Sequence, residues 1–194
     1  MLLNPYRFAS AAPVGVTLNP ADMATGGVLS NGNRTLSRTG GIAVCARATV
    51  GATSGLRYFE ARLDTVSGFA PAVGLQDSLG SLDTDIGQEA REYGLRADGS
   101  IYRNGSYSSG WTTASTTGAV IMVAVNFTSK QIWFGRNGTW LNSGDPVAGT
   151  NPAATFTTTN ALFPVVQVYG STVVTARFAA GDLSYPLPSG YSVW

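Results

Sequence analysis

From Val14 onward, short apolar or alternating runs are separated by Gly, Asn, Ser and Thr, and no stretch holds a 3.6-residue apolar spacing over three turns. This pattern predicts about 13 strands. In LRYFEARL (residues 56–63), Phe59, Ala61 and Leu63 alternate with Tyr58, Glu60 and Arg62, which places one face of a strand on a core. VIMVAVNF (120–127) is apolar on both faces and predicts a central strand buried between layers. The polar TSK that follows turns the chain into QIWFGRNGTW (131–140), where Asn137-Gly138 supplies a tight hairpin. YGLRADGSIYRNG (93–105) carries two more such signals, Asp98-Gly99 and Asn104-Gly105, because both central residues of a type I′ turn need positive φ. LFPVVQVYG (162–170) and TVVTARFA (172–179) read as a last hairpin joined through Gly170-Ser171. YPLPSGYSVW (185–194) reads as an extended tail whose prolines discourage ladder pairing. Two long stretches, 76–92 and 141–161, lack a strand pattern, and loops of that length on a rigid scaffold are usual places for function. So many short alternating strands must either stack two antiparallel sheets or close into a barrel, and the expected class is an all-β antiparallel sandwich.

Composition narrows the partners. The chain has 194 residues, 24 Gly and only 12% charged residues, a length suited to one all-β domain with a sizeable core. Twelve basic residues against eleven acidic give a formal charge of +1, with no Lys/Arg block, so neither nucleic acid nor an anionic membrane is an expected partner. In MLLNPYRFASAAP, Asn4 and Pro5 follow two leucines directly and Arg7 comes soon after, which breaks any apolar run of signal-peptide length. The longest apolar run, residues 119–125, is far short of the roughly 20 residues a membrane helix needs. A soluble, unprocessed chain is expected, and its NFT and NGT triplets then never meet glycosylating enzymes. Cys45 is the only cysteine, which rules out an internal disulfide and a multi-Cys zinc site; within AVCAR it reads as a packed, inert thiol.

Candidate chemistry is sparse. The chain has no histidine, so Ser-His-Asp, Cys-His and histidine-based metal catalysis are absent. Glycoside hydrolases of concanavalin-like fold use two acids opposed across a cleft, about 5 Å apart in the retaining ones, and on one strand that spacing requires carboxylates at i and i+2 or i+4. The close pairs Asp83/Asp85 and Glu89/Glu92 lie in a loop, while Asp64 and Asp77 each end a strand alone. Asp83, Asp85 and Glu89 also form a candidate Ca²⁺ ligand set of three hard donors, against the plainer reading of a solvated acidic loop balanced by Arg91 and Arg96. In YRNGSYSSGWTT (102–113), Tyr107 and Trp111 stand among hydroxyl donors, a combination suited to a sugar or a peptide, with Arg91 and Arg96 as charged neighbours. The competing role for Trp111 is to cap the core at a sheet edge. Trp133 and Trp140 belong to the scaffold hairpin.

Five stretches, in order, resemble the SPRY domain: SGLRYFEARLD (54–64), AVGLQD (72–77), YGLRADGSIYRNG (93–105), GAVIMVAVNFTSKQIWFGRNGTW (118–140) and LFPVVQVYG (162–170). VTLNPADMATGGVLSNGNRTLSR (16–38) and SGDPVAGTNPA (143–153) look like the corresponding parts of SPRY modules encoded by bacteriophages. The resemblance implies a concanavalin-like jelly roll over residues 14–194, a non-enzymatic module that recognises partners through loops at one edge, and no cofactor. It also implies a virion structural protein, a capsid decoration, head fibre or tail-associated component. Residues 1–13 then form a docking arm onto another virion component, with Asn4, Pro5, Tyr6, Arg7 and Phe8 as candidate contacts. The expected partners are other virion proteins, in capsid or tail, and further copies of the chain in a homo-oligomer. The rival expectation is a lectin-like module that binds a host surface glycan or protein through Tyr107, Trp111 and the acidic loop; a glycoside hydrolase is the remote third.

Overall fold

The computed structural model describes residues 15–38, 40–67 and 70–194. The arm contacts expected at Asn4, Pro5, Tyr6, Arg7 and Phe8 lie outside the described residues. Strand β5 (Leu56–Thr65) shows how the sequence pattern becomes architecture. Phe59, Ala61 and Leu63 point into the main core, each essentially inaccessible to solvent. β5 pairs antiparallel with β10 (Val120–Asn126), whose Ile121, Val123 and Val125 continue the same apolar face. Full burial of a side chain of this kind contributes about 1.5–3 kcal/mol.

Around these two strands a nine-stranded sheet is built. Its order is β12 (Thr139–Trp140), β11 (Gln131–Arg136), β10, β5, β15 (Val173–Arg177), β3 (Thr35–Ser37) and β2 (Val28–Ser30). β13 (Ala154–Thr155) adds to β11, and β16 (Ser192–Val193) adds to β5. The facing seven-stranded sheet runs β1 (Leu18–Met23), β4 (Val44–Ala48), β14 (Leu162–Val168), β6 (Ala72–Asp77), β7 (Glu92–Arg96), β8 (Ile101–Arg103) and β9 (Ser106–Ser108). Two antiparallel sheets packed face to face make a sandwich of jelly-roll type, and the barrel alternative falls away. Phe59, Phe127, Phe156 and Trp194 meet in the core, with Trp194 edge-on to Phe59 at 5.8 Å and to Phe127 at 6.0 Å.

Each sheet also has its outer face partly covered. Residues 78–91 cross the seven-stranded sheet and seat Leu82 and Ile86 on Cys45, Ala72 and Val165. Gly74 and Gly94 keep that face low: a Cβ on Gly94 would stand 2.9 Å from Ile86, and one on Gly74 would strike the Tyr93 carbonyl oxygen. On the other side, Leu183, Tyr185, Leu187 and Tyr191 cover Tyr58, Met122, Ala124 and Trp133. The period-two strand β5 is therefore buried on both faces along part of its length.

Several sequence expectations are corrected. Asn104-Gly105 (φ 53° and 85°) and Asn137-Gly138 (49° and 84°) are two-residue left-handed turns as read. Asp98-Gly99 is not: only Gly99 has positive φ, at 87°, and Arg96 N donates to Ser100 O, so the loop has three residues with Gly in the left-handed place. Residues 162–179 are no hairpin, because β14 and β15 belong to different sheets and the Gly170-Ser171 link crosses the sandwich. The proline-rich tail also joins a ladder, Ser192 and Val193 pairing in parallel with Arg57 and Tyr58. Sixteen strands, rather than about 13, lie among the described residues, several of them two-residue pairings too short to read as periods.

Candidate functional site

The hairpin β8–β9 forms the end of the seven-stranded sheet. Ile101 points inward to the core, so period-two alternation sends Tyr102 outward, and the pairing puts Tyr107 directly across from it. The two rings lie 4.9 Å apart at 46°, and Tyr107 remains 55% exposed. A large aromatic left in solvent at a sheet edge, braced by a second ring, is the kind of rigid anchor that protein interfaces use. The turn that carries it is also held from below. Arg91 N donates to Asn104 Oδ1 (2.7 Å), and Gly105 N donates to Gly87 O (3.0 Å), which ties the hairpin tip to the 78–91 loop.

Arg103 lies on the other side of the hairpin. Its Nη2 donates to Ser108 Oγ (2.7 Å) and its Nη1 to Ala153 O (3.4 Å). Together with Asn104 and residues 152–155 it lines a cleft of about 350 Å³ between the ends of the two sheets. The turn that precedes residues 152–155 is pinned: Asp145 and Thr150 exchange backbone hydrogen bonds, and Trp133 Nε1 donates to Thr150 O at 2.8 Å. Sequence reasoning singled out Tyr107 but missed Tyr102, Arg103 and residues 152–155. The signal for Tyr102 was present, since a two-residue turn at Asn104-Gly105 fixes which residues face each other; residues 152–155 arrive from a distant segment and left no local trace.

The other candidates are placed elsewhere. Trp111 is half-buried and packs against the main core, whereas Tyr107 faces outward. Of the two roles open to Trp111, this packing supports the core-capping one. Arg91 places its Nε 3.0 Å from Oδ2 of the fully buried Asp77, as an ion contact rather than an aligned hydrogen bond. Arg96 is 2.7 Å from Asp85 Oδ2 through Nη1 and 3.3 Å from Asp98 through Nε. Both arginines are thus engaged in ion contacts within the frame of the loop.

Asp83, Asp85 and Glu89 do not assemble into a calcium site. Asp85 has both oxygens engaged, Oδ2 by Arg96 and Oδ1 by Gln167 Nε2 at 2.5 Å, while Asp83 and Glu89 are exposed. Among the described residues no three acidic, Cys or His side chains are placed to share a metal ion. The carboxylate pairs are equally unsuited to glycoside hydrolysis. Glu92 is fully buried, bonded through Oε1 to Gln76 Nε2 and through Oε2 to Gly87 N, so it faces no substrate. Cys45 is sealed under the same loop with Sγ donating to Thr84 O, and burial, reinforced by the charges of Glu92 and Asp85, pushes its thiol well above the ordinary range.

The architecture has known counterparts. The family model described as SPRY domain matches residues 56–180. A search of curated protein sequences finds no match. Among solved structures, the SPRY domain of human HERC1 superposes with a TM-score of 0.65 at 20% identity, covering 86% of this chain and 98% of that one. A human SPRY domain gives 0.62 at 21% identity, covering 80% and 96%. The TRIM65 PSpry domain gives 0.61 at 15% identity, covering 84% and 91%. The chain belongs to the SPRY domain family, whose members are protein-interaction modules.

Proposed function

We propose that the chain is a non-enzymatic recognition module that engages a partner protein through its β8–β9 edge, and that it does so as a structural component of a bacteriophage virion. The observation that carries the recognition surface is Tyr107, left 55% exposed on Tyr102 beside the Arg103 cleft. Tyr and Arg are the residue types that dominate binding energy at protein interfaces. The virion assignment rests on sequence: residues 16–38, which supply β1, β2 and β3, and residues 143–153, whose last two residues line the cleft, look like the phage-encoded form of the module. The partner is then a capsid or tail protein, met by symmetric copies of this chain.

Mass spectrometry of purified particles tests the setting, and partner capture with Tyr107→Ala tests the surface. A virion containing the chain, with capture lost in the variant, supports both parts. Particles without the chain overturn the first, and undiminished capture by Tyr107→Ala overturns the second. The ring pair favours one second reading, a host surface glycan stacked on Tyr107, for which a glycan array is the direct assay.

A further inference from the structure

The outer face of the nine-stranded sheet is covered over Tyr58 and left open further along β5. There Arg62 and Asp64 of β5, with Thr175 and Arg177 of β15, floor a groove of about 460 Å³ whose far wall is Arg34 and Asp182. Register explains the grouping: Thr175 pairs with Arg62, and Arg177 pairs with Glu60, so the outward residues of neighbouring strands stand side by side.

Each arginine in this groove is held on one side. Arg34 Nη1 donates to Asp182 Oδ2 at 2.9 Å and its Nε to Asn31 O at 3.3 Å. Arg62 Nη1 lies 3.2 Å from Asp64 Oδ1, with the Arg62 side chain still 48% exposed. Arg177 Nη1 lies 3.7 Å from Glu60 Oε2 and also donates to Ser184 Oγ. A guanidinium carries five N–H donors, and neither Arg34 nor Arg62 has a further protein acceptor among the described residues. Three guanidinium groups face two groove carboxylates, Asp64 and Asp182, and Asp64 also accepts from Thr175 Oγ1. With Glu60 behind Arg177 the three guanidinium groups are matched by three carboxylates, and what the groove presents is the unused, oriented N–H donors of Arg34 and Arg62. Beyond the Arg34–Asp182 pair a second depression of about 310 Å³ continues, lined by Gly15, Val16, Thr17, Gly32 and Ala179. The two share Arg34 and Asp182, which makes one trough with a donor-rich polar half and a small, mostly apolar half.

We propose that this trough binds an extended segment of a partner protein in which an acidic side chain is followed closely by a small apolar one. The carboxylate accepts from Arg62 and Arg34, whose fork geometry suits two-point contact, and the apolar side chain rests against Val16 and Ala179. Neighbouring strands stand about 4.8 Å apart, so a groove floored by two of them admits a single extended chain. A polyanion is disfavoured by the two groove carboxylates and by a chain charge of only +1. A glycan lacks any aromatic ring to stack on here. The inference rests on the reading of the chain as a protein-recognition module and adds a contact surface on the sheet opposite Tyr107.

The test is NMR of the ¹⁵N-labelled full chain, following arginine Nε–H signals. The probe is a capped Gly/Ser hexapeptide with a central glutamate followed by valine, compared with its glutamine counterpart and with inorganic phosphate. The glutamate peptide should shift Arg34 and Arg62 saturably and bind about tenfold more tightly than the glutamine peptide, with Arg62→Gln removing that advantage. Added salt should weaken the shifts. Equal response to glutamate and glutamine, equal response to phosphate, or no response overturns the proposal. A silent groove with partner capture still lost in Tyr107→Ala overturns the trough alone and leaves the edge surface standing.

Discussion

Arg47 and Asp22 meet in a two-point contact, Nε to Oδ2 and Nη2 to Oδ1, both at 2.8 Å, which joins β4 to the edge strand β1. The same guanidinium, buried to 5% exposure, donates through Nη1 to Gln76 Oε1, Asp77 O and Gly80 O. One side chain therefore fastens the start of the 78–91 loop to the sheet, and that loop in turn supports the β8–β9 turn. Arg47→Ala should lower the unfolding free energy by about 3 kcal/mol, because it strands buried acceptors and leaves Asp22 without its partner. Arg47→Lys should recover only part, since an ammonium cannot reproduce the fork. Urea denaturation measures both; a loss below about 1 kcal/mol for the alanine variant would show that Leu82 and Ile86 hold the loop unaided.

Glu60 plays a matching part on the other sheet. Its buried carboxylate accepts from Tyr58 Oη (2.8 Å), Ser184 N (2.7 Å) and Tyr185 N (3.0 Å), which latches the C-terminal cover over Tyr58 and Trp133. Glu60→Gln keeps the shape and replaces one acceptor oxygen by a donor. Hydrogen exchange at the Ser184 and Tyr185 amides should quicken by at least about tenfold, with little change in β10. Unchanged protection would mean that apolar contact alone seats the cover.

Alkali should unfold the protein through its buried phenols. Burial, with the charge of Asp77 second, pushes Tyr93 up to about 12; burial and Asp145 do the same for Tyr191, to about 12. Burial, then the hydrogen bond to Glu60 and its charge, raises Tyr58 further. The folded chain keeps these protons at pH values where the unfolded chain, titrating near 10, releases them. Their stabilising contribution is complete below pH 10 and is lost as pH rises from about 10 through about 12. Denaturation midpoints measured from pH 8 to 11.5 should fall above 10, less steeply in Tyr93→Phe. A flat profile would contradict the burial of these hydroxyls.

Much of this fold was legible in local pattern. The alternation in β5, the doubly apolar β10 and the two Asn-Gly turns are each fixed within a few residues. Gly170-Ser171 was misread because a sheet-to-sheet crossing and a hairpin share the same short turn signal, and only the partner strands tell them apart. The tail was misread because its prolines lie in residues 185–190, ahead of the two residues that pair. Arg47, Gln76 and Gln167, polar residues within apolar strands, were the trace of the covered outer face. Their partners lie in the loop and on neighbouring strands, so the network itself could be found only in three dimensions.

The two aromatic candidates should separate cleanly. Tyr107→Ala should change stability by less than about 0.5 kcal/mol while weakening partner binding, because its ring is largely in solvent. Trp111→Ala should cost about 2 kcal/mol of stability through lost core contact. Thermal denaturation of both variants checks this, and the opposite ranking would reverse their roles.

The central claim is that the β8–β9 edge touches a partner in the assembled particle. The most direct measurement replaces Tyr107 with the photo-cross-linking residue p-benzoyl-phenylalanine, irradiates purified virions and identifies the products by mass spectrometry, with the exposed Val28 on the opposite sheet's edge as control. The account predicts cross-links from position 107 to one defined virion protein and few from position 28. Particles that contain the chain yet give no cross-link at 107, or give the same products from both positions, would contradict it.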